Sequence, residues 1–470
     1  MRATKIVATI GPASRDPATL EAMVRAGLDV ARLNFAHGTV DEHAETAERV
    51  RAAARRVGRS VAILQDIPGP KLRIGPVAGG VTELTAGSRV VLTADAVEGT
   101  AEQLPVASSG IAELIGPDDV AYLADGRVRL RVNEVHDGDV VTRVEVGGSV
   151  ASRQALNLPN VGRSLPAVGE ADLQTIDAGI EMGVDLLALS VVRRREDLQP
   201  VREHLAERGR DLSVIAKIEN QEATENIEEI MAAADGLLVA RGELGIELPI
   251  EDVPVVQKRL LELAGQAAKP SITATQMLES MVRSNRPTRA EVTDVANAIF
   301  DGTDAVTLSE ETAVGAYPVE AVEMMASIAE VTERELPYGY WLRERGPQAQ
   351  DEQSAIAYGA VGAVYQLGLK ALVVPTRTGT TPALVAAHRP NVPVLALTDR
   401  AYVAKRLSMV WGVRAELFEE AETTPDLLER CAAMATRCGL AGPGDRIGIT
   451  AGIPPGKSGG TNLFKVHRIE

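Results

Sequence analysis

Two short apolar runs end in residues able to do chemistry. Ser213–Glu219 is strand-like and carries Lys217 and Glu219 two apart, on one face of a strand. Gly236–Gly245 is a second such run and delivers Glu243 beside Gly242 and Gly245. An ammonium, two carboxylates and backbone N–H groups at neighbouring strand ends suit a divalent metal and an anionic substrate. Merely solvated strand ends would not explain a lysine inside an apolar run, so a site is the stronger reading.

The elements that must position these groups repeat along the chain. Eight apolar runs end in polar or glycine-rich corners: Lys5–Ile10, Val30–Asn34, Val61–Asp66, Leu186–Ser190, Val214–Ile218, Gly236–Ala240, Ser271–Thr275 and Ala305–Ser309. Helical patterns lie between most of them, among them Leu20–Ala26, Glu42–Val57, Val253–Ala268 and Arg289–Phe300. Such alternation predicts an α/β fold, a parallel (β/α)8 TIM barrel. The stretch from Val61 to Leu186 is too long for a loop, so a domain is inserted there. It reads as an all-β domain, with Val128–Val135 and Val140–Val146 flanking Asp137-Gly138-Asp139 and a turn at Gly147-Gly148. Polar Arg343–Glu352 reads as a linker to a C-terminal α/β domain with strands Ala371–Pro375, Val394–Leu397 and Ile447–Thr450. The expected domains are 1–69 with 166–342, 70–165, and 352–470.

Barrel chemistry sits at the carboxyl ends of the strands. Those ends offer Asn34 and His37, Asp66, Ser190 and Arg193, Lys217 and Glu219, Glu243, Thr275, and Ser309 with Glu310. No Ser–His–Asp set and no cysteine nucleophile assembles from them. Arg32, Arg73 and Lys217 can clamp a phosphoryl group, and Glu219 and Glu243 can hold a divalent ion with open positions. The corner Arg241-Gly242-Glu243 before a helix would aim N–H groups at a carboxylate, and Thr275 would add a hydroxyl. Positioning and charge are what phosphoryl transfer asks of a protein. Singly these residues mean little: a lone arginine is usually solvated, His37 alone reads as a helix-start or packing residue, and Asp66 before Pro68-Gly69-Pro70 reads as a turn cap.

Composition narrows the class. The chain has 470 residues and a formal charge of −16, against the basic footprint of a nucleic-acid binder. No apolar stretch approaches the ~20 residues that span a membrane, and the start shows no secretory signal core, so a cytoplasmic location is expected. Cys431 and Cys438, seven apart, fit core positions on one helix better than a metal motif or a disulfide. Only nine of the 49 basic residues are lysine, which singles out Lys71 and Lys217 in their motif segments.

In order, Thr4–Pro12, Arg32–Gly38, Gly69–Arg73, Asn157–Pro159, Ile215–Asn220, Val239–Gly245, Ala274–Glu279, Arg286–Ala296 and Glu311–Gly315 resemble segments of the pyruvate kinase family. The close, from Thr450 to Leu463, is similar too, so the resemblance covers nearly the whole chain. It implies phosphoryl transfer from phosphoenolpyruvate to ADP, with Glu219 and Glu243 ligating Mg²⁺ or Mn²⁺. Arg32 and Lys217 would bind the phosphoryl group, with Lys217 also stabilising enolate charge. Gly242, the N–H of Glu243 and Thr275 would hold the substrate carboxylate. Asn34, His37 and Arg73 would face the nucleotide, and the insert, with Asp125-Gly126, would close as a lid. The family is typically a homotetramer, and here Thr376, Thr378, Gly379, Thr380 and Thr381 resemble its loop for a phosphorylated effector. A phosphate contact from Lys457 and Ser458 stays open.

Several positions depart from the family pattern. Glu243 stands where aspartate is usual, Ala36 where serine binds a monovalent cation, and Lys71 where potassium-dependent members carry glutamate. A fixed ammonium at Lys71 can do the electrostatic work of K⁺, so a K⁺-independent enzyme is expected. Gln154 replaces a nucleotide-facing lysine, Glu310 a common glycine and Val191 a common phenylalanine. Other readings stay open: a diverged paralogue with altered or weakened substrate use, or a non-catalytic effector-binding relative. A metal-dependent barrel aldolase is more distant, since it needs no lid.

Overall fold

The computed structural model describes residues 2–70, 72–106, 110–124, 126–159, 166–345, 351–419, 421–454 and 460–470. Three parallel strands come first: β1 (Lys5–Thr9), β2 (Val30–Asn34) and β3 (Ala62–Ile67). An insert follows with β4 (Val81–Leu84), β5 (Arg89–Thr93), β6 (Gln103–Pro105), β7 (Val120–Leu123), β8 (Val128–His136), β9 (Asp139–Val146) and β10 (Gly148–Ala151). The barrel then resumes with β11 (Leu186–Leu189), β12 (Ser213–Ile218), β13 (Gly236–Ala240), β14 (Ser271–Ala274) and β15 (Ala305–Leu308). Pairing of β1 with β15, Lys5 opposite Ala305, closes the ring in the order β1-β15-β14-β13-β12-β11-β3-β2.

Every residue of β3 and of β11 to β15 is buried. Parallel strands covered by helices bury both faces, which is why they read as continuous apolar runs without alternation. The helices supply the cover. Val40–Val57 opens with a capping box between Thr39 and Glu42 and ends at left-handed Gly58, and it turns Ala47, Val50 and Ala54 inward.

The insert builds a five-stranded sheet, β6-β5-β9-β8-β7, and a separate pair, β10-β4. Asp137 and Gly138 both adopt positive φ between paired His136 and Asp139, the two-residue hairpin turn that matches strand twist. Val90, Leu92, Leu130 and Val140 are among its own core residues.

The C-terminal sheet runs β18-β17-β16-β19-β20, with β16 (Leu372–Pro375), β17 (Val394–Thr398), β18 (Val413–Leu417), β19 (Arg446–Gly452) and β20 (Thr461–Arg468). Only β20 is antiparallel. The stretch read as a linker is in fact helical at both described ends. Tyr338–Arg345 is a helix held by buried Trp341 and Leu342, and Asp351 caps a helix that begins at Glu352. Among the described residues no helix is long and apolar enough to cross a membrane.

Candidate active site

Four charged side chains, Arg32, Asp66, Lys217 and Glu219, meet where β2, β3 and β12 leave the barrel. Arg32 donates from Nε to Asp66 Oδ2 at 2.7 Å and from Nη1 to Thr9 Oγ1 at 2.8 Å. Lys217 Nζ lies 3.3 Å from Asp66 Oδ1 and 2.8 Å from Glu219 Oε1, and donates to Ser190 Oγ at 2.7 Å. Asp66 is 1% exposed and Lys217 5%. One carboxylate therefore fixes both cations and leaves their remaining hydrogens directed by geometry. Burial alone would lower the Lys217 pKa, but Asp66, Glu219 and Glu243 outweigh it and hold the ammonium well above the ordinary lysine range. These carboxylates favour the charged ammonium, which is suited to stabilising developing anionic charge.

A second cluster joins β13 to β14. The helix Arg241–Glu247 begins directly after β13, so Gly242 and Glu243 lie in its first turn and do not precede it. Gly242 N donates to Thr275 Oγ1 at 2.8 Å, and that hydroxyl donates to Ala274 O at 2.6 Å. Rotation of the hydroxyl would turn its proton toward an anionic ligand. Arg241 points back into the protein, donating to Thr275 O at 2.6 Å and pairing with Asp294 at 2.8 Å. It braces the corner.

Glu219 and Glu243 are the carboxylates that could hold a divalent cation such as Mg²⁺ or Mn²⁺. Both carboxylates act on Lys217, and a hard cation held by two protein carboxylates keeps positions for substrate oxygens. Glu219 is oriented by Val191 N, which donates to Oε2 at 2.9 Å. Among the described residues no group of three or more His, Cys, Asp or Glu forms a metal cluster.

The family description "Pyruvate kinase, barrel domain" matches residues 1–322, and "Pyruvate kinase, alpha/beta domain" matches 354–467. The chain belongs to the pyruvate kinase family. It is 45% identical over 472 residues to pyruvate kinase of Geobacillus stearothermophilus, covering 100% of this chain and 80% of that protein. Pyruvate kinase of Thermococcus litoralis is 43% identical over 473 residues, covering 99% and 98%. A crystal structure of a pyruvate kinase from Cryptosporidium parvum superposes with a TM-score of 0.93 at 34% identity, covering 100% of this chain and 96% of that one. With the pyruvate kinase family comes the reaction, phosphoryl transfer from phosphoenolpyruvate to ADP.

The remaining residues read from the sequence lie around this centre or away from it. Asn34 Oδ1 accepts from Ala36 N at 3.2 Å, which shapes the turn after β2. His37 is exposed, and its carbonyl is held by His43 Nε2 at 2.8 Å. Arg73 sits in the insert and donates to Arg153 O at 3.0 Å. Lys71, Asp125, Lys457 and Ser458 lie outside the described residues. In the C-terminal unit Gly379 N donates to Thr376 Oγ1 at 2.9 Å, Thr378 and Thr380 hydroxyls meet at 3.0 Å, and Thr381 meets Thr461 at 2.7 Å. This loop borders a cavity of about 220 Å³ against the barrel floor, shared with Lys269 and Arg406.

What went unread for Asp66, placed with the other strand-end groups, is its pairing with two cations. Thr9 and the orienting role of Ser190 went unread as well, because a hydroxyl at a strand end carries no signal until its neighbour across the barrel is known.

Proposed function

We propose that this pyruvate kinase family member binds Mg²⁺ or Mn²⁺ through Glu219 and Glu243 and works without K⁺. Arg32 and Lys217 bind the phosphoryl group of phosphoenolpyruvate. Gly242, the N–H of Glu243 and Thr275 take the substrate carboxylate, so the reacting group is held between two fixed ends. When bound, the divalent ion supplies charge neutralisation at the phosphoryl and enolate oxygens. Lys217 stabilises enolate charge as the bond to phosphorus breaks. Asn34, His37 and Arg73 face the phosphates of ADP, and the insert closes over them. The protein works in the cytoplasm as a homotetramer, and Thr376 to Thr381 receive a phosphorylated effector. The observation that carries this reading is the Arg32–Asp66–Lys217 array beside Glu219 at the barrel mouth.

K⁺ independence rests on the pairing of Ala36 with Lys71 in the sequence. The test is pyruvate formation from phosphoenolpyruvate and ADP with Mg²⁺ or Mn²⁺, in tetraalkylammonium salt and then in K⁺ at equal ionic strength. Turnover on the order of 10 s⁻¹ in both media is expected. A several-fold rise on adding K⁺ would discard the role given to Lys71, and no turnover in either would discard the reaction.

A diverged paralogue is the second reading, favoured by Gln154. Its Oε1 accepts from Ala151 N at 3.0 Å, within a turn of the insert, where a lysine would carry charge toward the nucleotide. Glu243→Asp with Gln154→Lys would then raise activity sharply. A fast wild type that gains nothing from the pair removes this reading.

A further inference from the structure

Past β14 two successive residues without a glycine's freedom, Thr275 and Gln276, hold φ of 75° and 54°. For a β-branched threonine this left-handed backbone is an outlier, and such strain persists only where surrounding contacts enforce it. The turn is gripped on both sides. Before it, Arg241 donates to the carbonyls of Ala274 at 3.3 Å and Thr275 at 2.6 Å. After it, Leu278 N donates to Glu311 Oε1 at 3.0 Å. The second oxygen of Glu311 accepts from Ser309 N at 2.6 Å, where β15 leaves the barrel.

We propose that Glu311 is a positioning residue for substrate binding, acting through Leu278 to hold Thr275 in its left-handed conformation. The bland alternative is a local cap for the short helix Glu310–Ala313, and the bond to Ser309 would satisfy that role alone. The bond to Leu278 would not be needed, since it reaches 33 residues back along the chain to the adjacent strand end. Glu311 is 3% exposed, and a buried carboxylate is costly unless hydrogen-bonded. Its two oxygens thus tie the strained turn to the end of the next strand, and the turn fixes Thr275 Oγ1 against Gly242 N.

The inference rests on Thr275 meeting the substrate carboxylate, and a double-mutant cycle separates the two claims. The variants are Thr275→Ala, Glu311→Gln and both together, in the full-length enzyme, with folding checked by circular dichroism. In Glu311→Gln one of the two N–H groups faces a carboxamide NH₂, so kcat/KM for phosphoenolpyruvate falls about tenfold while KM for ADP stays within about twofold. The double variant is no worse than Thr275→Ala. If Thr275→Ala leaves phosphoenolpyruvate kinetics unchanged, the role of Thr275 fails, and with it the role built on it. If Thr275→Ala is impaired but the two losses multiply, or if KM for ADP rises equally, Glu311 is only structural. Should Glu311→Gln not fold, Glu311→Asp, which keeps the charge and shortens the reach, is put through the same cycle.

Discussion

Asp66 does more at this site than its residue type announces. It balances Arg32 and Lys217 together, and its oxygens point one at each. Asp66→Asn would leave buried Lys217 and half-buried Arg32 sharing one anion fewer and would loosen both. We expect kcat/KM for phosphoenolpyruvate to fall by roughly 10²-fold or more; a loss under tenfold in steady-state assays would show that Glu219 alone can hold Lys217. Lys217 was legible in the sequence because an ammonium inside an apolar strand demands a reason. Asp66 was legible only as one of the strand-end groups, because its partners Arg32 and Lys217 come from other strands. Cys431 carries a simpler forecast. Burial pushes its thiol up to about 12, so at pH 8 it stays protonated and enclosed. An uncharged disulfide reagent should leave Cys431 unmodified until urea unfolds the chain, as peptide mapping would read, and rapid native labelling would contradict the burial.

Elements were legible in proportion to how completely they are buried. All eight barrel strands were found within a residue or two, since covered parallel strands have no polar face to blur the run. Strands β18 and β20 escaped notice for the opposite reason: Arg414, Glu416, Lys465 and His467 put charge and polarity along half-exposed strands. Closure of the barrel was implied by the repeat, and a close backbone approach lies just past the seam. A Cβ on Gly11, just past β1, would stand 2.5 Å from Ala313 O, the carbonyl that accepts from Ala13 N. Backbone on both sides cannot yield cheaply, so Gly11→Ala should cost about 1–3 kcal/mol. The check is urea unfolding with an unchanged m-value and a lower midpoint. An unshifted midpoint would mean that the seam is softer than its spacing.

At the scale of the whole molecule, the C-terminal unit is held to the barrel floor by a buried polar joint that no sequence pattern disclosed. Asp304, just before β15, accepts from Arg389 Nη1 and Trp411 N, each at 3.1 Å, and from Ser271 N at 3.0 Å at the foot of β14. Arg389 is 2% exposed and its guanidinium stacks over the Trp411 ring, 5.0 Å from its centre. Residues 304 and 389 lie 85 apart, and an aspartate before a strand and an arginine after a helix each look ordinary alone. The same two strands that start at this joint end at Thr275 and Glu311, so the floor and the mouth share a short rigid path. Asp304→Ala would strip a buried guanidinium of its carboxylate and leave the N–H groups of Ser271 and Trp411 without that acceptor, a loss of roughly 3–5 kcal/mol. Both tryptophans of the chain, Trp341 and Trp411, are buried and sit around Tyr338, so their fluorescence reports this joint while far-UV circular dichroism reports the whole. In the wild type the two probes should trace one urea transition. In Asp304→Ala the fluorescence transition should come first, as the C-terminal unit leaves the floor before the barrel melts. Coincident transitions at a lower midpoint would instead make the two units a single cooperative body, with Asp304 an ordinary member of its core.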